Sequence, residues 1–359
     1  EVKQTHIEDY SSLFSRVDLD LGQTVSEKPT DELLAAYNGG TASAEEERQL
    51  EVMLFQYGRY LMLSSSRQNS ELPSNLQGVW NNKNNPDWSS DYHMNVNLQM
   101  NYWPAYSTNL SECADPLIRY VDSLREPGRV TASIYAGIDS AEGEENGFMA
   151  HTQNTPFGWT CPGWSFSWGW SPAAVPWILQ NCWEYYEYTG DYEYMAENIY
   201  PMLREEAQMY NAMLIKDSDG KYVSSPAYSP EQGPRTAGNT YEQSLIWQLF
   251  TDAISAGKLV GEDEAVLAQW QEKLNNLKGP IEIGEDGQIK EWYIETKFNQ
   301  DADGNTLGQG YGHRHLSHML GLFPGDLITE ETPEWFEAAK VSMNLRTDES
   351  TGWGMGQRI

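Results

Sequence analysis

Apolar residues recur at helical spacing over several stretches of the chain. Ser43 and Glu46 match a capping box, and the apolar positions that follow them share one helical face: Leu50, Met53, Leu54, Tyr57 and Leu61. This pattern predicts a helix over residues 44–65. Ser171-Pro172 and Gly190 bracket a second predicted helix, and Thr332-Pro333-Glu334 begins a third.

The remaining pattern is also helical, with long connections between the helices. Further helices are predicted near 6–16, 114–125, 201–215, 241–256 and 264–277, and only residues 281–296 suggest a hairpin. Connections rich in Gly, Pro, Asn and Trp cover 67–95, 126–170, 218–240 and 279–312. Because such long loops usually build a functional surface, we expect an all-α toroid whose loops form the active-site end.

Composition and charge narrow the classes of partner. The 359 residues include 23 Lys and Arg against 53 Asp and Glu, a formal net charge of −30. This charge repels phosphate backbones and anionic bilayers, so it argues against nucleic-acid binding and favours a neutral partner. No apolar run is long enough to predict a membrane span. Three scattered cysteines are too few for a disulfide scaffold or a thiolate zinc site.

Tryptophans crowd the predicted loops beside Asn, Ser and Gly. Pyranose rings stack their C–H faces on aromatic rings, while their hydroxyls need polar partners, so this mixture suits a sugar-binding cleft. The alternative is that these residues pack the loops onto the core. The tryptophans concerned are Trp80, Trp88, Trp103, Trp159, Trp164, Trp168 and Trp170.

The segment Asp91–Pro104 has the densest set of candidate polar groups. His93, Asn95 and Asn97 alternate with apolar residues, so in an extended stretch their side chains would point one way and line a cleft. The alternative is a loop held together by asparagine hydrogen bonds.

Two carboxylates stand out by their context. Glu231 lies among Pro230, Gly233 and Pro234, and such a rigid loop could desolvate the carboxyl and raise its pKa toward that of a general acid. Asp348 precedes a Thr-Gly-Trp turn and is the natural second carboxylate.

His313, His315 and His318 are half of the six histidines. Their spacing permits a zinc site, and therefore a zinc hydrolase, although no further ligands are obvious. We favour a hydrogen-bonding wall for sugar hydroxyls. The remaining alternative is structural capping of the segment that follows.

Taken together, these segments resemble glycoside hydrolase family 95. The matching stretches run in the family's order from about residue 5 to the end: 55–61, 72–81, 92–104, 229–231, 313–318 and 348–353. The resemblance implies an (α/α)6 barrel. We expect residues 1–30 to be a linker and first helix and residues 31–359 a C-terminally truncated catalytic domain, with both flanking β domains absent.

The resemblance also implies roles for named residues. Glu231 matches the general acid, Asp348 the general base, and Asn95 and Asn97 the two asparagines that hold the nucleophilic water. His93 matches a position near the C5 substituent, which favours fucose. We expect the remaining substrate contacts to come from His313, Arg314, His315, His318, Trp80 and Trp353, with no metal or cofactor.

The implied function is an inverting α-L-fucosidase that removes terminal fucose, α-1,2-linked to galactose, from neutral glycans. An α-L-galactosidase on the same scaffold and a non-catalytic carbohydrate-binding fragment are the alternatives. We expect an extracytoplasmic protein of bacterial type, secreted or periplasmic, with no nucleic-acid partner and no membrane insertion.

Overall fold

Helices provide most of the regular structure in the computed structural model, which describes residues 1–140, 145–163 and 165–359. Helix accounts for 52% and strand for 4%, which confirms the all-α prediction and agrees with the (α/α)6 barrel. The elements in chain order are α1 Val2–Phe14, α2 Thr30–Asn38, α3 Ala44–Ser65, α4 Asn97–Ser107, α5 Asp115–Ser123, α6 Arg125–Ala136, α7 Phe166–Gly169, α8 Ala174–Thr189, α9 Tyr192–Tyr194, α10 Tyr200–Met213, β1 Ile215–Lys216, β2 Tyr222–Val223, α11 Thr240–Val260, α12 Glu264–Asn275, α13 Pro333–Arg346 and α14 Gly352–Gly356.

The local start and stop signals locate several helices accurately. At the start of α3 the Ser43 hydroxyl accepts a hydrogen bond from the Glu46 N–H, and the Glu46 carboxylate accepts one from the Ser43 N–H. Gly190 ends α8 in the left-handed conformation, with φ of 66°. Pro333 is the first residue of α13, as expected from the Thr-Pro-Glu signal.

Besides the short α7, α9 and α14, three longer helices lie where the sequence pattern gave no helix. They are α2, α4 and α6, and α6 occupies the start of a connection predicted to be irregular. Gly128 weakens the helical signal of α6, but a Cβ there would approach Phe148 and Met149 within 3.0–3.2 Å. Close packing against these residues therefore explains a helix that intrinsic propensity does not favour.

One compact unit comprises residues 1–90 and 100–118. Here α1 and α2 pack against α3, and the buried Arg59 guanidinium donates to the carbonyls of Leu13 and Phe14 at 3.3 and 2.7 Å. The predicted apolar face of α3 is not its buried face, since Leu54 and Tyr57 are 74% and 57% exposed. The buried residues of α3 are instead Arg59, Met62, Leu63 and Ser65, in its C-terminal half.

The second compact unit comprises residues 91–99 and 119–359. Its α11 packs against α8, α10 and α12 and is buried around most of its circumference. The strands β1 and β2 form a short antiparallel pair. At the hairpin predicted near 281–296, the structure has a single antiparallel bridge between Ile283 and Ile289.

An apolar cluster in this unit fixes the histidine-rich segment. Leu316 and Met319 are buried with Ile289 and with Ala338 and Ala339 of α13. The segment 313–318 is therefore held between the bridge region and the last long helix. The division into residues 1–30 and 31–359 stays a prediction, and none of the described helices has the length and apolar character of a membrane span.

Candidate active site

Glu231 lies in the connection between β2 and α11, in a loop that its own sequence constrains. Ala227 and Thr236 exchange backbone hydrogen bonds of 2.8 and 3.0 Å across the base of the loop. Gly233 has φ of 77°, and a Cβ at this position would collide with the Trp292 indole. The loop thus needs glycine two residues after the acid, and it leaves the Glu231 side chain only 8% exposed.

Four side chains converge on the two oxygens of this carboxyl. Asn95 Nδ2 donates to Glu231 Oε1 at 2.8 Å, and His93 Nε2 lies 3.9 Å from the same oxygen. The Arg314 guanidinium contacts Oε2, and His315 Nε2 lies 3.6 Å from it. The structure therefore brings together five residues that the sequence assigned to the site, drawn from segments far apart in the chain.

These neighbours reverse the pKa direction expected for Glu231. Burial by itself would raise the pKa, as anticipated from the loop, but His315, His93 and Arg314 together hold it well below the ordinary value. The expectation of a raised pKa is therefore wrong for the free site. Glu231 is a carboxylate there, because cationic and hydrogen-bonding partners outweigh desolvation.

His93 has the opposite charge state. Burial disfavours its cation, but hydrogen bonding to Asp91 and the nearby Glu231 carboxylate raise the pKa to about 9. Asp91 is buried, and its two oxygens lie 3.2 and 3.1 Å from His93 Nδ1. At neutral pH the site therefore contains a buried imidazolium between two carboxylates.

The polar row predicted for residues 93–97 takes another form. Residues 94–96 form a turn and Asn97 is the first residue of α4, so the segment is not extended. The prediction that an extended backbone points the three polar side chains one way is therefore wrong. The apolar partners are buried as expected: Met94, Val96 and Leu98. Asn95 is 1% exposed, and its Oδ1 has no hydrogen-bond partner among the described residues, whereas Asn97 is only half-buried.

The three histidines of the 313–318 segment have different surroundings. The His313 ring stacks on His315, and the Trp353 ring meets His315 edge-on, with centroid distances of 5.4 and 4.8 Å. His318 Nδ1 instead lies 3.7 Å from Glu291 Oε2. Within 1–140, 145–163 and 165–359, no three His, Cys, Asp or Glu side chains are grouped so as to hold a metal ion.

Asp348 and Trp80 lie apart from this arrangement of contacts. Asp348 is exposed, and in the described part of the chain no hydrogen bond or ion pair joins it to Asn95, Asn97 or Glu231. Trp80 belongs to the first compact unit and is 45% exposed. The roles predicted for these two residues stay predictions.

The loop tryptophans are mostly not core residues. Trp88, Trp159 and Trp168 are 63%, 48% and 50% exposed, which disfavours the packing alternative for these three. Trp170 Nε1 donates to the Pro226 carbonyl at 3.0 Å, immediately before residues 227–236, the loop that contains Glu231 (the acid loop). Trp164 lies outside the described residues.

Sequence reasoning missed several polar residues that support the site. Asp91 could have been found, because it is a carboxylic acid only two residues before His93 in the sequence. Glu291 and Arg346 carry no comparable signal: Glu291 lies within the long connection between α12 and α13, and Arg346 is the last residue of α13. Only the folded chain brings these two side chains to within 3.7 Å of each other.

Comparison with known proteins matches the chain to one family model and to three curated relatives. The profile described as "Glycosyl hydrolase family 95 catalytic domain" matches residues 1–359. "Probable alpha-fucosidase A" of Aspergillus niger is 34% identical, with 98% of this chain and 44% of that protein covered. "Alpha-L-fucosidase 2" of Arabidopsis thaliana is 32% identical, with 97% and 41% covered. "Probable alpha-fucosidase A" of Aspergillus oryzae is 33% identical, with 90% and 35% covered. The chain thus spans less than half the length of these curated relatives.

Proposed function

The chain belongs to glycosyl hydrolase family 95, and we propose that it carries the catalytic site of an inverting α-L-fucosidase acting on terminal α-1,2-linked fucose in neutral glycans. The observation that carries the proposal is the convergence of Asn95, His93, Arg314 and His315 on the buried Glu231. The relatives' names support fucose as the sugar.

Glu231 acts as the general acid, and His93 holds the proton that it needs. In the free site the proton is on the His93 imidazolium, whose Nε2 lies 3.9 Å from Glu231 Oε1. A bound sugar that excludes water and displaces Arg314 raises the pKa of Glu231, because it removes a cation and increases desolvation. Glu231 then takes the proton from His93 and passes it to the glycosidic oxygen as the C1–O bond breaks.

A water molecule attacks C1 from the opposite face. The Oδ1 atom of Asn95 supports this role, since it is buried and accepts no hydrogen bond from the described residues. Asn95 and Asn97 orient the water, its oxygen bonds to C1, and Asp348 takes its proton. This role requires the exposed Asp348 to approach the asparagines when substrate binds.

Inversion also sets a spatial requirement on the acid. The acid and base carboxyl groups are typically about 6.5–9.5 Å apart in inverting enzymes, because both a sugar and a water lie between them. Asn95 Nδ2 and Glu231 Oε1 are 2.8 Å apart, so no sugar fits between these atoms in the free site. Substrate binding therefore opens this hydrogen bond.

The remaining predicted contacts serve recognition. His313 Nδ1 is 3.3 Å from the His315 N–H that donates to it, so Nε2 carries the ring proton, and Nε2 is buried without a partner among the described residues. It is a donor for a sugar hydroxyl. Arg314, His315, His318, Trp80 and Trp353 complete the proposed set.

The main alternative is α-L-galactosidase activity at the same site. L-Galactose differs from L-fucose by a hydroxyl on the C5 substituent, and a pocket cannot strongly reject a sugar that merely adds a hydroxyl. We place His93 beside this substituent and expect fucose to be preferred. We also propose an extracytoplasmic location, since the charge of −30 suits an exported protein with a neutral substrate.

The function is tested by incubating the protein with a 2′-fucosylated oligosaccharide and its L-galactosyl analogue and following each by NMR. We expect free fucose, formed first as the β anomer, and a higher kcat/KM for the fucosyl substrate. Glu231→Gln should lower kcat/KM for release by about 100- to 10,000-fold, whereas Glu193→Gln, at an exposed position, should leave it unchanged. Ligand signals that change without release of sugar would instead establish the binding-module alternative.

A further inference from the structure

A buried ion pair, Glu291 with Arg346, lies next to the loop that contains the proposed acid. Glu291 is 5% exposed and Arg346, at the end of α13, is 1% exposed. Arg346 Nη1 lies 3.7 Å from Glu291 Oε2. Neither residue contacts the Glu231 carboxyl, so neither has a place in the chemistry proposed above.

Glu291 holds the acid loop on both sides of Glu231. Its Oε1 accepts from the Ser229 hydroxyl at 2.6 Å, and the Gln232 amide donates to Oε1 and Oε2 at 3.1 and 2.9 Å. Gln232 Oε1 in turn accepts from the Gln309 N–H at 2.8 Å, which fixes the orientation of the amide. Ser229 and Gln232, which flank Pro230 and Glu231, are therefore both hydrogen-bonded to the Glu291 carboxylate.

Arg346 holds the segment 313–315 in the same way. Its guanidinium donates to the carbonyl of His313 and, at 2.6 Å, to that of His315. These residues flank Arg314, which contacts Glu231. The Ser317 hydroxyl adds a link between the two segments, since it donates to the Pro230 carbonyl at 2.9 Å.

We propose that the Glu291–Arg346 pair positions the catalytic site: it sets the spacing between Glu231 and its partners Arg314 and His315. This inference rests on the proposed function, because it assigns the pair's role to the acid. A buried ion pair gains little net stability over apolar packing, so stability alone does not account for it. A role in positioning does account for the pair, since a misplacement of about 1 Å in a catalytic site can lower the rate about 100-fold.

A second buried ion pair in the same compact unit provides a matched control. The Glu205 carboxylate is 1% exposed and pairs with Arg125 and Arg129, each at 2.6 Å. It makes no described hydrogen bond to residues 229–232 or 313–317. Loss of the charge on Glu205 therefore reproduces the stability cost of a broken buried pair without touching the acid loop.

The test compares Glu291→Gln with Glu205→Gln in the protein. Both substitutions should lower stability to denaturant. Only Glu291→Gln should lower kcat for a fucosylated oligosaccharide, by about 10- to 100-fold with KM within about three-fold. The substitution weakens the contacts of Glu291 with Ser229 and Gln232 beside the acid, whereas Arg346 still holds the carbonyls of His313 and His315. Equal kcat losses in the two variants, or wild-type kcat in Glu291→Gln, would overturn the proposal.

A milder substitution covers the case in which Glu291→Gln fails to fold. Ser229→Ala removes the hydrogen bond from Ser229 to Glu291 without changing any charge. The pKa of Glu231 should then rise, because its contacts with Arg314 and His315 loosen. Carboxyl 13C NMR measures this pKa. An unchanged pKa would count against the positioning role. This titration needs no turnover, so a protein that releases no sugar would refute the proposed function and still test the inference.

Discussion

Asp91→Asn should lower the pKa of His93 and make the stability of the protein less dependent on pH. The substitution keeps the shape of the side chain but removes the buried charge that lies 3.1–3.2 Å from His93 Nδ1. Because the side chains of His93 and Asp91 are only 8% and 6% exposed, solvent screens this interaction weakly. Its loss should therefore be measurable at ordinary ionic strength.

The magnitude follows from the two pKa values of His93. Folding raises the pKa from 6.5 to about 9, so protonation of His93 stabilises the folded state by at most about 3 kcal/mol. A raised histidine pKa gives its full contribution below pH 6.5 and loses it as the pH rises through 9. Removal of one close opposite charge should shift the pKa down by about 1–3, which removes about 40% or more of this contribution.

Two measurements check this prediction. Nitrogen-15 NMR of the imidazole should show His93 titrating near pH 9 in the wild type and lower by 1 or more in Asp91→Asn. Denaturant unfolding should show that the variant loses more stability at pH 6–7 than above pH 9. The reasoning is refuted if wild-type His93 titrates near 6.5 or if Asp91→Asn leaves its pKa unchanged.

Two further substitutions probe the carboxylate and its loop. Arg314→Gln should raise the pKa of Glu231 by about 1–2. This is the lower part of the range of about 1–3 for a close opposite charge, because Arg314 is 38% exposed. An unchanged carboxyl titration by 13C NMR would contradict this. Gly233→Ala should cost about 3 kcal/mol in denaturant unfolding, since it combines a positive φ with a collision against Trp292. The control Gly190→Ala also has a positive φ but meets open space, so about 1 kcal/mol is expected; equal costs would contradict the packing argument.

The sequence predicts those parts of the fold that depend on local signals. The capping box at Ser43, the proline at 333 and the glycine at 190 each coincide with a helix end in the structure. These signals act within one turn of backbone, so no knowledge of the tertiary structure is needed. By contrast, α6 contains Gly128 and forms because close packing outweighs its poor propensity.

The same distinction applies to the candidate site. Residue types and family resemblance select Glu231, Asn95 and His93, and the structure places these three together. The pKa direction of Glu231 could not be obtained in this way, because it depends on Arg314 and His315, more than 80 residues away in the chain. Charge states in a buried site follow from three-dimensional neighbours, which a rigid loop sequence does not reveal.

The proposed role of Glu231 as general acid is tested most directly by changing the leaving group. Glu231→Gln and the wild type are compared on a 2′-fucosylated oligosaccharide and on α-L-fucosyl fluoride, whose leaving group needs little proton donation. We predict that the variant loses kcat/KM by about 100- to 10,000-fold on the oligosaccharide and by less than about 10-fold on the fluoride. Equal losses on both substrates, or no loss on the oligosaccharide, would contradict the assignment of Glu231 as the acid.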